Sequence, residues 1–160
     1  MSLSSSRVAV LVLVLLVLAA GAPAAEDSAV GVTRGDAVTW SDAGPDLPEG
    51  TQVAVLVGDP SKEGPFTIRI KFPPRTKVMP HTHPATEHVT VVQGRMGIGE
   101  GETFDESKLQ WLARGDVFWV EKDAPHYGMT KSGTVIEIHA SGPWGLTYVD
   151  AAGAGAPKGD

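Results

Sequence analysis

The chain has 160 residues, among them 13 lysines and arginines, 19 aspartates and glutamates, and no cysteine. Its formal net charge is -6. The sequence has no basic patch with interleaved aromatic residues, so it does not predict a nucleic-acid partner. The lack of cysteine excludes disulfides and thiolate metal ligands. Stability must therefore come from packing, and any metal chemistry from imidazole and carboxylate groups.

The first 25 residues have the pattern of a secretory signal peptide. The free amine and Arg7 precede an apolar run over 8–20, and small residues follow at 22–25. We expect cleavage after Ala24 or Ala25, an exported protein that is periplasmic or secreted, and no stable membrane span afterwards. The apolar run is shorter than the roughly 20 residues of a membrane span, although an uncleaved single-span anchor is the alternative.

The remainder of the chain predicts one domain between two flexible segments. Residues 26–35 are small and polar and predict a flexible lead-in, whereas 151–160 predict a disordered tail. The domain itself is expected over 36–150, a length that suits a single hydrophobic core.

Short β-strands separated by glycine- and proline-rich turns are predicted throughout this domain. In the clearest case Phe66, Ile68, Ile70 and Phe72 alternate with other residues, which is typical of a strand with one buried face. Only residues 105–112 favour a helical turn. The pattern therefore predicts an all-β sandwich or barrel. The other predicted strands are 37–40, 51–57, 76–79, 87–93, 116–121, 134–140 and 146–149.

One short stretch carries the chemistry that the sequence predicts. His81 and His83 are two residues apart, so on an extended strand both imidazoles project to the same side. Glu87 follows after a proline that bends or ends the strand, which lets its carboxylate turn back toward the two rings. His126 is a fourth candidate ligand. These residues predict a metal site, and the alternative is a set of exposed loop residues or hydrogen-bonded core histidines.

The spacing of these residues resembles the two sequence motifs of the cupin family. His81, His83, Glu87 and Gly94 fall on the first motif, and Gly115 with His126 keeps the register of the second. The resemblance implies a single cupin-like jelly-roll β-barrel that holds His81, His83, Glu87 and His126 inside as metal ligands. Several other motif positions differ. Arg75 and Asp123 replace two motif glycines, Glu121 replaces a proline, and Thr130 replaces an asparagine.

Alternation along the predicted strands separates the candidate ligands from their neighbours. The register that points Glu87 toward the metal points His88 away from it. Tyr127 follows His126, so the same rule favours the opposite side over a hydrogen bond to a bound oxygen species. Glu137 and His139 would form a proton relay if their face were interior. We favour an exterior position for both, because the alternate positions of that strand are apolar.

Two tryptophans are candidates for ligand contact. Trp119 and Trp144 have the side chains that stack on an aromatic or sugar ligand, but such residues more often belong to the core.

Three imidazoles and one carboxylate suit a divalent transition metal: Fe, Mn, Ni, Cu or Zn. We expect metal loading to fall as the pH drops through the histidine range. The resemblance implies enzymes such as dioxygenases, isomerases and decarboxylases, so we predict a metal-dependent oxidoreductase that acts on a small organic molecule. The alternative is a non-catalytic module that binds or senses a metal or small ligand. The resemblance also implies pairing with a second copy as a homodimer.

Overall fold

The computed structural model describes residues 30–150, and within them the chain is almost entirely β-structure. The predicted signal peptide at 1–25, part of the predicted lead-in and the predicted tail at 151–160 lie outside the described residues, so these remain predictions. No helix in 30–150 is long and apolar enough to cross a membrane. The strands are β1 (Ser41–Asp42), β2 (Gln52–Val57), β3 (Gly64–Phe72), β4 (Lys77–Thr82), β5 (Glu87–Gln93), β6 (Arg95–Glu100), β7 (Gln110–Ala113), β8 (Val117–Val120), β9 (His126–Thr130), β10 (Thr134–Gly142) and β11 (Thr147–Tyr148).

The strands form two antiparallel sheets. The six-stranded sheet has the order β1-β2-β3-β10-β5-β8, and the five-stranded sheet has the order β11-β4-β9-β6-β7. After β3 the chain crosses repeatedly from one sheet to the other. Neighbouring strands such as β3 and β10, or β4 and β9, are therefore distant in sequence, as in a jelly roll. The predicted all-β jelly-roll fold is confirmed.

The core lies between the two sheets and consists of inward-facing residues at every second position of the strands. Phe66, Ile68, Ile70 and Phe72 are all buried, which confirms the alternation predicted for β3. On β10, next to β3 in the same sheet, Ile136 and Ile138 are buried too. The remaining buried members of this cluster are Val78, Val89, Val91 and Met96.

The first predicted strand was wrong, and three strands, β6, β7 and β9, were not predicted. Residues 37–40 are irregular, and the short edge strand β1 begins only at Ser41. β6 contains Gly97 and Gly99, which in sequence resemble strand breakers. A Cβ on Gly99 would clash with the ring of Tyr127, so this glycine lets an aromatic ring cover the strand.

The helical turn expected over 105–112 is only the 3-10 turn Glu106–Lys108. Asp105 caps it, since its carboxylate accepts a hydrogen bond from the N–H of Ser107 at 3.0 Å. The chain then becomes extended and forms β7 from Gln110, which pairs with β6. The rest of the predicted turn is therefore an unpredicted edge strand of the five-stranded sheet.

Candidate metal centre

The four predicted ligands come from strand ends of both sheets and meet inside the fold. His81 lies on β4 and is paired in register with His126, the first residue of β9. His83 follows β4, and Glu87 is the first residue of β5. All four residues are buried, with exposed fractions of 4–5%. The alternative of exposed loop residues is therefore wrong.

The side-chain atoms lie at separations that suit a shared cation. One ring nitrogen from each of His81, His83 and His126 lies within 4.8 Å of the other two. The Glu87 carboxylate extends between two of the rings: Oε2 is 3.6 Å from His83 Nε2, and Oε1 is 3.7 Å from His126 Nε2. These contacts are too long for hydrogen bonds. They are of the order expected between neighbouring ligands of one ion, each roughly 2.1 Å from it.

Backbone carbonyl groups determine which nitrogen of each ring faces inward. His81 Nδ1 donates to Met79 O at 2.7 Å, and His126 Nδ1 donates to Ala124 O at 3.0 Å. His83 Nδ1 donates to Gly145 O at 2.6 Å. A carbonyl oxygen only accepts, so each Nδ1 carries the proton and each neutral ring keeps a free lone pair on Nε2. This outer hydrogen bond is the one that metal-binding histidines usually make.

Burial keeps all three imidazoles neutral. Desolvation, with added repulsion from His126 and His83, lowers the pKa of His81 to about 3. Desolvation likewise lowers the pKa of His83 to about 4 and lowers the pKa of His126. The rings therefore present lone pairs across the whole neutral range without first losing a proton.

Glu87 is the proton-binding group of the cluster near neutral pH. Burial raises its pKa to about 7, against an opposing effect of the Trp144 indole. Neither Glu87 Oε2 nor Trp144 Nε1 has a partner with hydrogen-bond geometry. A buried carboxylate oxygen without a donor is costly.

The residues present therefore fit a divalent transition metal. Three Nε2 lone pairs and a carboxylate face one another, and a cation would satisfy all of them together. The second part of the alternative, hydrogen-bonded core histidines, accounts only for the Nδ1 atoms. The three buried histidines form a cluster that can hold a metal ion, while the ligand role of each predicted residue stays a prediction.

The segment after β10 holds His83 in a way that the sequence analysis did not foresee. The Trp144 ring stacks on the His83 ring, with centroids 4.6 Å apart and planes 15° apart. Its neighbour Gly145 supplies the carbonyl for His83 Nδ1, and the N–H of Trp144 donates to Pro60 O at 2.8 Å. The glycines around Trp144 indicated only a turn, since no local pattern reveals a contact across 62 residues.

The remaining polar candidates point away from the cluster. His88 is exposed, as predicted from alternation along β5. Tyr127 is buried on the other side of β9, where its hydroxyl donates to Asp105 O at 3.2 Å. Glu137 accepts from Arg69 Nε at 2.7 Å, and His139 Nδ1 lies 3.0 Å from Thr67 Oγ1. Both residues lie on the outer face of β10, so the interior proton relay is wrong.

The two tryptophans divide. Trp119 is 64% exposed on β8 and is not a core residue. Trp144 is partly buried, contacts Phe66 edge-to-face at 6.0 Å between centroids, and lines the interior beside Glu87. Of the two, Trp144 is the one positioned to affect a ligand in the centre.

Two residues that replace motif glycines keep a glycine-like backbone. Arg75 and Asp123 have φ values of 58° and 61°, in the left-handed region that most L-residues avoid. The N–H of Asp123 donates to His83 O at 2.9 Å. The turn before His126 is thus bonded directly to the segment that carries His83, although an aspartate occupies the glycine position.

Comparisons with solved structures show a shared fold at low identity. The polyketide cyclase RemF from Streptomyces resistomycificus is 15% identical, with a TM-score of 0.64 over 78% of this chain and 89% of that one. An RmlC-like cupin from Ralstonia eutropha is 19% identical, with a TM-score of 0.60 over 76% of this chain and 73% of that one. Salicylate 1,2-dioxygenase from Pseudoaminobacter salicylatoxidans is 12% identical, with a TM-score of 0.53 over 64% of this chain and 30% of that one. At such identities the likeness concerns the fold alone.

The comparison of sequences identifies the family. No curated protein matches the chain. The sequence model of the ChrR cupin-like domain matches residues 29–117, more than half of the chain, including His81, His83 and Glu87. His126 lies beyond the matched range but faces the same cluster. The chain therefore belongs to the cupin family of the ChrR cupin-like domain.

Proposed function

We propose that this protein binds one divalent transition metal through Nε2 of His81, His83 and His126 and the carboxylate of Glu87. The observation that carries the proposal is the shared orientation of the three rings, each fixed by an Nδ1–H bond to a backbone carbonyl. Fixed tautomers present the lone pairs without a reorganisation cost when the ion enters. The unpartnered Glu87 Oε2 supplies the negative charge that a dication requires.

The donor set suits Fe, Mn, Ni, Cu or Zn. Imidazole and carboxylate are borderline donors, and affinity among these ions follows a general order that favours copper. The identity of the ion therefore depends on supply and geometry, and it must be measured.

We propose that the metal serves a dioxygenase-like oxidoreductase acting on a small organic molecule. When bound, a redox-active ion would supply Lewis-acid and one-electron chemistry. The chain's own residues orient the donors, exclude bulk water by burying all four side chains, and offer the buried indole N–H of Trp144 as a hydrogen-bond donor. The proposal is also supported by the fold shared with salicylate 1,2-dioxygenase.

A non-catalytic metal- or ligand-binding module is the second candidate. The observation in its favour is the size of the cavity beside the four residues, about 40 Å³. This volume holds one or two waters and no organic substrate. A binding or sensor module needs no room for a substrate at the metal, whereas an enzyme must bring a reacting group into this space.

We also propose that the protein is exported and that it forms a homodimer. Export is supported by the apolar run and the small residues of the first 25 positions. Pairing is supported by exposed apolar side chains on β2 of the six-stranded sheet, namely Val55 and Val57. N-terminal sequencing of the protein from the exported fraction and sedimentation of the purified protein test these two points separately.

The first experiment on function is elemental analysis of the protein purified without added metal. It is followed by measurement of oxygen uptake with the ion that is found, across a panel of phenolic and diketone compounds. The H88A variant serves as the matched control for variants of the proposed ligands, because His88 is a histidine of the same segment that faces outward.

The outcomes separate the candidates. Near-stoichiometric iron, copper, nickel or manganese with oxygen uptake supports the oxidoreductase. Stoichiometric zinc without turnover favours the binding module. No bound metal, even after incubation with each ion, rules out the metal centre in both proposals.

A further inference from the structure

We propose that an uncharged, mainly apolar organic molecule binds in the cleft between β7 and β8, with one donor group directed past His126 toward the metal centre. This inference rests on the proposed metal site and adds where its ligand lies and of what class it is.

The cleft exists because two consecutive strands, β7 and β8, belong to different sheets. β7 pairs with β6 in the five-stranded sheet, whereas β8 pairs with β5 in the six-stranded sheet. Between them the turn closes tightly: the N–H of Asp116 donates to Ala113 O at 3.0 Å, and Asp116 Oδ2 accepts from the N–H of Ala113 at 2.8 Å. The two arms then diverge and leave an opening between the sheet edges.

The cleft is much larger than the interior cavity. The cleft has a volume of about 640 Å³, compared with about 40 Å³ for the cavity at the four polar residues. The larger volume lies in the range of sites that bind drug-sized molecules. The two spaces share Ile98, Phe118 and His126 as lining residues. The cleft therefore adjoins the metal centre at these three side chains.

The lining determines the class of ligand. Apolar residues such as Leu112, Phe118 and Pro125 make up most of the surface, and the charged lining residues are Glu100, Glu121 and Lys108. Two carboxylates against one ammonium give the cleft a negative balance, which disfavours anions. A neutral molecule buries its apolar body here, and only a terminal oxygen or nitrogen function fits the small inner space.

A pair of probes tests this division between body and donor group. Imidazole and 4-phenylimidazole carry the same donor nitrogen, and only the second carries an apolar body. Each is titrated into the Co(II)-loaded protein while the visible absorption of the ion is followed. We expect 4-phenylimidazole to bind about tenfold more tightly, because its phenyl ring is transferred from water into the apolar cleft. We expect 4-(imidazol-4-yl)benzoate, an anionic relative, to lose that gain.

A matched pair of variants locates the effect. Gln110 is exposed, lines the cleft and shares a face of β7 with Leu112, so Q110W fills the cleft without disturbing the core. Q93W makes the same substitution at an exposed position of β5 outside the cleft. Q110W should remove the preference for 4-phenylimidazole, and Q93W should keep it. Equal affinity for the two probes, or a preference that survives Q110W, overturns the inference.

A measurement without metal keeps the inference separate from the proposed metal site. Amide NMR spectra of the metal-free protein are recorded with and without 4-phenylimidazole. Shifts concentrated at Ile98, Leu112 and Val117 support the cleft even if no ion binds. Shifts confined to other strands, or none at millimolar probe, overturn it regardless of whether the chain binds metal.

Discussion

The five histidines divide between the two sides of the β-sheets, and the comparison shows what makes a histidine a ligand. His81, His83 and His126 lie inside, with exposed fractions of 4–5%. His88 and His139 lie directly opposite one another on β5 and β10 of the six-stranded sheet, and both are exposed. The two groups contain the same side chain on neighbouring strands, so the residue type alone does not distinguish them.

The difference lies in what each ring nitrogen contacts. In the interior group every Nδ1 bonds to a backbone carbonyl, and every Nε2 faces the other polar residues. In the exterior group His139 has both nitrogens near side chains, with Thr67 Oγ1 at 3.0 Å from Nδ1 and Glu137 Oε1 at 3.3 Å from Nε2. A backbone carbonyl fixes the tautomer, whereas a hydroxyl both donates and accepts. Preorganisation and burial, more than proximity, therefore distinguish the proposed ligands.

Removal of an interior ring should have the largest effect. H81A, H83A and H126A should each lose most of the bound metal, more than the roughly 10–100-fold cost of losing a residue that only orients a ligand. H88A should lose little. Metal content by elemental analysis, with circular dichroism to verify folding, measures this contrast. Equal loss in H88A would mean that the register of β5 is wrong by one residue.

The next largest effect concerns Glu87 and pH. With its pKa at about 7 in the metal-free protein, this carboxyl binds a proton below that pH, and an ion must displace it. Metal affinity should therefore fall about tenfold per pH unit below about pH 7. The histidines, with pKa values of about 3 and 4 for His81 and His83, should contribute only at much lower pH.

The E87Q variant separates these two sources of pH dependence. It should bind the ion more weakly at pH 8 yet show almost no change in affinity between pH 8 and pH 6. Isothermal titration at each pH measures both quantities. If metal affinity falls as steeply with pH in E87Q as in the native protein, the pH dependence comes from the histidines, as expected from the sequence.

How much of this centre the sequence predicts depends on the range of each contact. Strand alternation predicts that His81 and Glu87 point inward and that His88 points outward. The carbonyl partners Met79 and Ala124 each lie two residues before their histidine, so they are local features. The partner of His83, Gly145, lies 62 residues away. Only the folded arrangement of β10 and β11 brings that carbonyl to the ring.

The same limit explains the strands that were missed. Gly97 and Gly99 indicate a break when β6 is considered alone. Once β6 pairs with β9, Gly99 is the residue that leaves space for Tyr127. The role of such a glycine depends on a neighbour 28 positions later. Apolar alternation along one strand therefore identifies strands such as β3. It misses β6, where a glycine leaves space for an aromatic ring from another strand.

A smaller effect is expected for the two tryptophans, which allow a similar contrast of inside and outside. Trp144 stacks on His83 and has a buried indole N–H, whereas Trp119 is exposed. W144F keeps an aromatic ring and removes the N–H, and should weaken metal binding about tenfold. W119F should leave affinity unchanged. Binding of Cu(II) should quench tryptophan fluorescence in the native protein and in W119F, and much less in W144F. Equal quenching in both variants would contradict the stacked arrangement.

The smallest effect belongs to the exterior pair itself. His139 is half exposed, and its contacts with Thr67 and Glu137 resemble surface interactions, which contribute less than about 1 kcal/mol. H139A should therefore change the free energy of unfolding by no more than that amount and leave the metal content intact. Chemical denaturation with and without the ion measures both. A loss of metal in H139A at unchanged stability would mean that the outer face of β10 influences the interior centre, and burial and tautomer would no longer account for the division among the five histidines.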